Sequence, residues 1–234
     1  VGLAMVVHGR EKTGVPLAIN GIFGNLGVAS AALVTGTLID RAGWQEAFIL
    51  PGALSIMIGV AYAAFVLAGR KEAAADGPMP PQQAAATGFE RRLLVRLFAV
   101  IFFSTAVGGL IFQSTTFALP KIFDERLGEI AGSATLVGWY AFIVFTIAAF
   151  AQLAVGYLVD RHSVRTVFAF VAGLQAVFLA AMYQMTGMAA LIVSVAFMLF
   201  VFGQIPINDV LVGRATKSEW RSRVFALRYV LTFS

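Results

Sequence analysis

A short charged segment separates two long uncharged segments in this sequence. Residues 156–165 read Gly-Tyr-Leu-Val-Asp-Arg-His-Ser-Val-Arg, whereas 134–159 carry no charge before Asp160 and 166–195 carry none after Arg165. A carboxylate at the end of a helix, such as Asp160, can accept hydrogen bonds from a nearby helix N-terminus or pair with an arginine. The pattern predicts a water-exposed hairpin that joins two membrane helices.

A second set of polar residues lies inside an apolar stretch. Thr105, Gly109, Gln113 and Thr116 recur at spacings of four, four and three residues, and so form one stripe on a predicted helix. Membrane helices keep such groups away from lipid, so the stripe faces either a neighbouring helix or a water-filled cavity. Both alternatives remain open at this point.

A third set of polar residues surrounds a proline. Gln204 and Asn208 share one helix face, and Pro206 between them frees backbone carbonyl groups. Broken helices with polar side chains are typical of substrate sites in transporters. Asp209 is the one acid placed at membrane depth, where it could couple transport to protons or simply pair with a loop arginine such as Arg214.

Other polar and small residues have simpler interpretations. Tyr140 could line a cavity, or it could anchor its helix at the membrane interface. Asn20 and Asn25 are expected to join helices rather than to bind a ligand. One face of the same predicted helix is small, which indicates close packing against a neighbour; it consists of Gly21, Gly24, Gly27, Ala31 and Thr35.

The composition indicates that lipid surrounds much of the chain. Of 234 residues, 59% are hydrophobic and 12% are charged, with a mean hydropathy of +0.86, whereas about a quarter of a soluble domain is charged. The absence of cysteine excludes disulfides and thiolate metal sites. We expect no metal and no cofactor. The net charge of +5 lies in loops, which favours membrane orientation over nucleic-acid binding.

The apolar runs divide the chain into predicted spans. Thr13 is a possible N-terminal cap of the first full span, and Pro120 is expected to end the third. Residues 69–90 form a polar linker. Because the chain starts and stops inside apolar runs, we expect a fragment with two truncated helices, at 1–8 and from about 220. The six full spans are expected at about 15–39, 47–68, 92–119, 133–159, 166–185 and 188–212.

Basic residues alternate between the loops. With helix-end residues assigned to the nearest loop, 14 of the 17 Lys and Arg residues fall in the first, third, fifth and seventh loops. Cytoplasmic loops carry the excess of positive charge, so the odd-numbered loops, including 69–90, are predicted to be cytoplasmic.

Several of these segments resemble the major facilitator superfamily. Gly156-x-Leu158-x-Asp160-Arg161-x-x-x-Arg165 is similar to its cytoplasmic hairpin signature, Gly-x-Leu-x-Asp-Arg-x-Gly-Arg-Arg, although Ser163 and Val164 depart from it. Residues 20–44 resemble the fifth helix of the family and its outer turn, and 69–90 resemble its central loop. The resemblance implies an incomplete all-α transmembrane bundle, from late helix four to early helix eleven. Residues 1–68 and 91–234 would belong to its two halves.

The resemblance also implies roles for individual residues. In the family the hairpin is thought to latch onto the cytoplasmic start of helix five, here 13–17, so a gating role follows for Gly156, Asp160, Arg161 and Arg165. The alternative is a solvated turn that only sets orientation. Helices seven and ten line the central cavity in the family. The cavity residues are then Gln113, Thr116, Tyr140, Gln204 and Asn208, with Asp209 for coupling.

The function implied is secondary active transport of a small solute by alternating access. The protein would be a monomeric, multi-pass protein of the plasma or inner membrane whose partners are its solute and the lipid bilayer. The glycines near Asn25 are weakly similar to a motif of drug exporters, which favours efflux. A transporter-like sensor is the alternative, and a membrane-embedded lipid enzyme is disfavoured because no span holds a nucleophile with its base or a pair of acids.

Overall fold

The computed structural model describes residues 12–69 and 88–215 together with Ala226. Within these ranges there is no β-strand, and nearly all of the described residues are helical. The predicted all-α bundle is therefore confirmed. The six long helices, numbered in chain order, are α1 (Gly14–Ala42), α2 (Glu46–Gly69), α3 (Gly88–Arg126), α4 (Ala134–Arg161), α5 (Val164–Ala181) and α6 (Gly187–Ala215). A single 3₁₀ turn, Met182–Gln184, follows α5.

Five of the described helices are long and apolar enough to cross a membrane, namely α1, α2, α4, α5 with its 3₁₀ turn, and α6. The span predicted at 92–119 lies within α3, which has 39 residues. The predicted truncated helices at 1–8 and from about 220, and most of the predicted linker at 69–90, lie outside the described residues.

The expectation that Pro120 ends its helix is wrong. Helix α3 continues through Pro120 to Arg126. Proline lacks the N–H donor to the carbonyl four residues earlier and its ring crowds that carbonyl, but the residues after it keep their own N–H donors and the next turn forms. Ion pairs support that turn, because Lys121 Nζ lies 3.1 Å from Asp124 Oδ2 and 3.4 Å from Glu125 Oε1.

Helix α4 is the central element. It makes its most extensive contacts with α1 and then with α6, and it also touches α3 and α5. Its buried face is mostly small, and Ala141, Val144, Ala148 and Ala149 have no exposed surface. Small side chains allow neighbouring helices to approach closely, which is how membrane helices pack without a hydrophobic driving force between them.

Helix α2 is the peripheral element. Among the described helices it contacts α1, and none of its most apolar 18-residue window is buried. Apolar side chains such as Phe48, Ile56 and Phe65 are more than two-thirds exposed. Such a surface is typical of a helix bundle whose solvent is lipid.

Local sequence signals set the start of α4 and the end of α1. Helix α4 begins after Ser133, whose Oγ accepts a hydrogen bond from Leu136 N at 3.2 Å, as an N-cap should. Helix α1 ends at Gly43, which has φ = +94° and donates its N–H to Ile39 O. Glycine tolerates this positive φ, which residues with a side chain rarely adopt, so the helix stops here and Asp40 lies in its last turn.

Candidate functional site

Helices α1 and α4 lie antiparallel with their backbones in contact. A Cβ atom on Gly156 would lie 2.7 Å from Gly14 O, and one on Gly138 would lie 2.7 Å from Ala32 O. Gly36 is pressed equally closely against the Ala134 carbonyl group. Any side chain at these three glycines would push the helices apart, so glycine is required for the approach.

The small face predicted on α1 is not this packing face. Gly24 and Gly27 have open space where a Cβ would be, and of that set Gly21 alone meets a side chain closely, that of Gln152. The close contacts are made instead by glycines near both ends of α1. The predicted stripe faces space between helices, because Gly24 lines one cavity and Thr35 lines another.

Asp160, in the last turn of α4, caps the N-terminus of α1. Its Oδ1 accepts a hydrogen bond from Gly14 N at 2.9 Å, and its Oδ2 accepts one from Val15 N at 3.1 Å. The first backbone N–H groups of a helix have no partner within the helix, and they attract negative charge. The contact between Asp160 and residues 13–17 that the sequence predicts is therefore present.

This capping corrects the expectation for Thr13. The residue occupies the N-cap position of α1 but makes no capping hydrogen bond with its side chain. Its hydroxyl is buried and has no hydrogen-bond partner among the described residues. The N–H groups that Thr13 could have capped are oriented towards Asp160, whose carboxylate is the stronger acceptor.

Asp40 makes the reciprocal contact at the other end of the same helix pair. Its Oδ2 accepts a hydrogen bond from Thr135 N at 2.7 Å, and its Oδ1 accepts one from Ala134 N at 3.3 Å. The Thr135 hydroxyl donates to Gly36 O at 3.5 Å. Each helix thus caps the first turn of the other with an aspartate from its own last turn.

The sequence contains a signal for this symmetry that the predictions missed. Residues 36–41 read Gly-Thr-Leu-Ile-Asp-Arg and residues 156–161 read Gly-Tyr-Leu-Val-Asp-Arg, with the same residue at four of six positions. In both copies a glycine precedes the aspartate by four residues, about one helical turn, so both lie on one face. The glycine admits the partner backbone, and the aspartate caps the partner helix.

The remaining hairpin residues are near the Asp160 contact but outside it. The Arg161 guanidinium lies 4.2 Å from the centre of the Tyr157 ring, a cation–π contact on the surface of α4. Arg165 is exposed in the first turn of α5. Gly156 is buried against α1. Of the four predicted gating residues, Gly156 and Asp160 contact α1.

A cavity of about 230 Å³, largely apolar but with five polar side chains in its wall, lies between α1, α3 and α6. Gln204 and Asn208 of α6 contribute two carboxamides, as predicted, and Thr105 of α3 contributes a hydroxyl. Gly108 makes room for them, since a Cβ there would lie 3.3 Å from Asn208 Nδ2. Helix α1 adds Asn20 and Asn25, which were expected to join helices and which line this cavity.

Three predicted cavity residues do not line this cavity. Thr116 lines a second cavity of about 460 Å³ near the Asp40 contact. Tyr140 lines neither, and its hydroxyl donates to Ile130 O at 3.2 Å. Gln113 also lines neither. A spacing of four residues drifts by about 40° per step around a helix, so Phe112, seven residues after Thr105, lies on the cavity face where Gln113 was expected.

The proline of α6 does not break the helix. Helix α6 runs continuously from Gly187 to Ala215 with Pro206 inside it. Asp209 is 3% exposed and does not line the 230 Å³ cavity, although Asn208 beside it does. No cluster of His, Cys, Asp and Glu able to hold a metal occurs in the described ranges.

Gln152 is a buried polar residue that the predictions did not single out. It has no exposed surface, and it lies on α4 against Gly21 of the cavity wall. Its Nε2 donates to Ala149 O at 3.2 Å, while its Oε1 has no hydrogen-bond partner among the described residues. The signal available was an amide in the middle of an uncharged span.

Comparison with known proteins gives one match. The family model described as Major Facilitator Superfamily matches residues 2–233. No curated protein matches the chain, and no solved structure matches it.

Proposed function

Because the chain belongs to the major facilitator superfamily, a family of membrane transporters, we propose that it carries a small solute by secondary active transport with alternating access. The observation that carries this proposal is the α1–α4 pair, which is capped at both ends and whose α1 lines a cavity that holds several amide groups. In the scheme implied by the family, α1 and α4 belong to opposite halves of the transporter. Their boundary is then the one that must open and close.

Asp160 is the proposed gate on the cytoplasmic side, the side that the distribution of basic residues assigns to it. Its carboxylate bridges Gly14 N and Val15 N and so holds the two helix ends together. A carboxylate at a helix N-terminus contributes about 0.3–2 kcal/mol, depending on burial. That is small enough for a bound solute to overcome when the cytoplasmic end opens.

The cavity is the proposed solute site. The described residues that line it supply amide and hydroxyl groups beside apolar ones, including Phe112, Val201 and Ile205. Such a surface suits an uncharged solute with both hydrogen-bonding and apolar parts. Sites that hydrogen-bond a solute discriminate against analogues that lack the matching group, because the buried amides are then left unpaired.

Asp209 remains the candidate for proton coupling. It is buried in α6 one residue after Asn208, so a change in its charge is close to the cavity wall. A charged group at membrane depth is costly, and carboxyl groups in that position often carry protons in transporters. Efflux is the proposed direction, on the weak similarity of the glycines near Asn25 to an exporter motif.

The experiment that tests this proposal uses the full-length gene product in proteoliposomes with an imposed proton gradient. A panel of uncharged amphipathic solutes is screened for flux, and the Gln204→Ala variant is measured in parallel. Flux that depends on Gln204 supports transport through this cavity. Solute binding without flux, under any gradient, would favour a sensor and contradict the proposal.

A further inference from the structure

The contact at Asp40 is separated from the contact at Asp160 by the whole length of α1. Residue 40 follows Val15 by 25 residues, which corresponds to about 37 Å along a helix at 1.5 Å per residue. The two aspartate contacts therefore lie at opposite ends of one helix pair, and the packed glycines lie between them. Opening one end of the pair does not require the contact at the other end to break.

The Asp40 contact has the properties of a contact that can open and close reversibly. Both carboxylate oxygens are engaged with the first two N–H groups of α4, at 2.7 and 3.3 Å. Both hydrogen bonds are exposed, so water can replace them when the helix ends separate. The apposed Gly36 allows the contact to close again without displacing a side chain.

We propose that Asp40 is a positioning residue for transport, which closes the Ala134 end of the α1–α4 pair while the Asp160 end is open. This role rests on the alternating access proposed above. The two aspartates act on one equilibrium in opposite directions. Asp40 stabilises the form closed at its own end, and Asp160 stabilises the form closed at the other end.

A purely structural cap would behave differently. Loss of an ordinary N-cap destabilises the helix it caps and loosens the pair at every position. Loss of a contact that favours one of two states of the helix pair instead raises exposure at one end and lowers exposure at the other. Only the balance between the two states changes. Accessibility at both ends, measured in the same variant, therefore separates the two roles.

Two valines of α4 provide matched reporters. Val137 is 8% exposed and lines the cavity beside Gly36, at the Asp40 end. Val159 is 1% exposed and packs with Leu17, at the Asp160 end. The sequence has no cysteine of its own, so Val137→Cys and Val159→Cys can each be read by the rate of N-ethylmaleimide alkylation in nanodiscs, in a full-length background without other cysteines.

Asp40→Ala is expected to raise the alkylation rate at position 137 by about three- to tenfold, the factor that corresponds to loss of a helix cap, and to lower the rate at 159. Asp160→Ala is expected to do the reverse. The double variant should return the ratio of the two rates to within about twofold of the parent value, since distant effects add. Glu129→Ala, which removes an exposed carboxylate from the turn before α4, is the control and should change neither rate.

Two results would overturn this role of Asp40. Unchanged rates in Asp40→Ala would mean that the contact does not bias the pair, and a rise at both positions would mean that it is a structural cap. Flux measured on the same variants distinguishes a failure of the proposed function. Opposite shifts in the two alkylation rates, in a protein that shows no flux, would support the role of Asp40 and contradict transport. Normal flux with unchanged alkylation rates would contradict the role of Asp40 alone.

Discussion

The backbone of Gly156 lies directly against that of Gly14. A Cβ atom on Gly156 would be 2.7 Å from Gly14 O and 2.9 Å from the Ala18 Cβ. This approach brings the carboxylate of Asp160, one turn further along α4, within 2.9 Å of Gly14 N. The glycine and the aspartate thus form one unit, in which the first provides the room and the second provides the hydrogen bonds.

Replacement of Gly156 should therefore disrupt the gate without touching Asp160. Gly156→Val forces α1 and α4 apart, because the added carbon meets the Gly14 backbone and the Ala18 Cβ, neither of which can rotate away. Overpacking of this kind costs about 1–3 kcal/mol. We expect a lower midpoint of thermal unfolding in detergent and a higher alkylation rate at Val159→Cys.

Gly59→Ala is the matched control for the glycine series. A Cβ at Gly59 of α2 meets nothing within 4 Å, and alanine is favoured over glycine in a helix by up to about 1 kcal/mol. Its unfolding midpoint should stay the same or rise. An equal loss of stability in Gly59→Ala and Gly156→Val would contradict the close α1–α4 contact.

Asp160→Asn should impair transport more than it impairs stability. Asparagine retains one acceptor oxygen, so one of the two hydrogen bonds to α1 can persist, but the charge is lost. We expect the rate of flux to fall by about threefold or more, as loss of a charged contact at a helix N-terminus implies, with an unfolding midpoint close to that of the parent.

The control for Asp160→Asn is Glu125→Gln. This variant also neutralises one carboxylate, but at a side chain that is 62% exposed and lies 3.4 Å from Lys121 Nζ. Such surface pairs contribute little, so both flux and stability should be unchanged. Flux of Asp160→Asn equal to that of the parent would mean that the hairpin does not gate.

The sequence was sufficient to predict the helices and one of the two aspartate contacts. Apolar runs predicted the positions of the six long helices, five of which are long and apolar enough to cross a membrane, because lipid leaves a helix few alternatives. The Asp160 contact followed from a charged turn that resembles a known signature. The Asp40 contact was missed although Gly36 and Asp40 repeat the same pattern, since the pairing of two helices is a tertiary property and no resemblance indicated which helix Asp40 would meet.

Cavity residues were predicted less well, for a geometric reason. Spacing alone placed Gln113 with Thr105, but the helix rotates Gln113 away from the cavity and brings Phe112 and Gly108 onto it. The amides of Asn20 and Asn25 gave no sequence signal that would separate a cavity wall from a helix interface. That distinction depends on where α3 and α6 lie, which no local pattern specifies.

Gln204→Ala and Asn208→Ala should weaken solute binding. Each removes one carboxamide from the cavity wall, and a lost hydrogen bond to a neutral group costs about 0.5–1.5 kcal/mol, or about two- to twelvefold in affinity. We expect the KM for flux to rise by that factor with little change in the unfolding midpoint.

Gln113→Ala is the matched control for the amide series. It also removes a carboxamide from the bundle, but Gln113 does not line the cavity. Its KM should equal that of the parent. A larger rise in KM for Gln113→Ala than for Gln204→Ala would place the solute on the other face of α3 and contradict the assigned site.

Arg126 should stabilise the bundle without taking part in transport. Its Nη1 lies 3.1 Å from each of three carbonyl oxygens, those of Met182, Tyr183 and Met185, and so ties the end of α3 to the turn after α5. Hydrogen bonds to a charged group contribute about 1.5–3 kcal/mol, so Arg126→Ala should lower the unfolding midpoint by several degrees. Arg126→Lys retains the charge and should recover part of that loss. An unaltered midpoint in Arg126→Ala would show that these carbonyl groups are equally well satisfied by water.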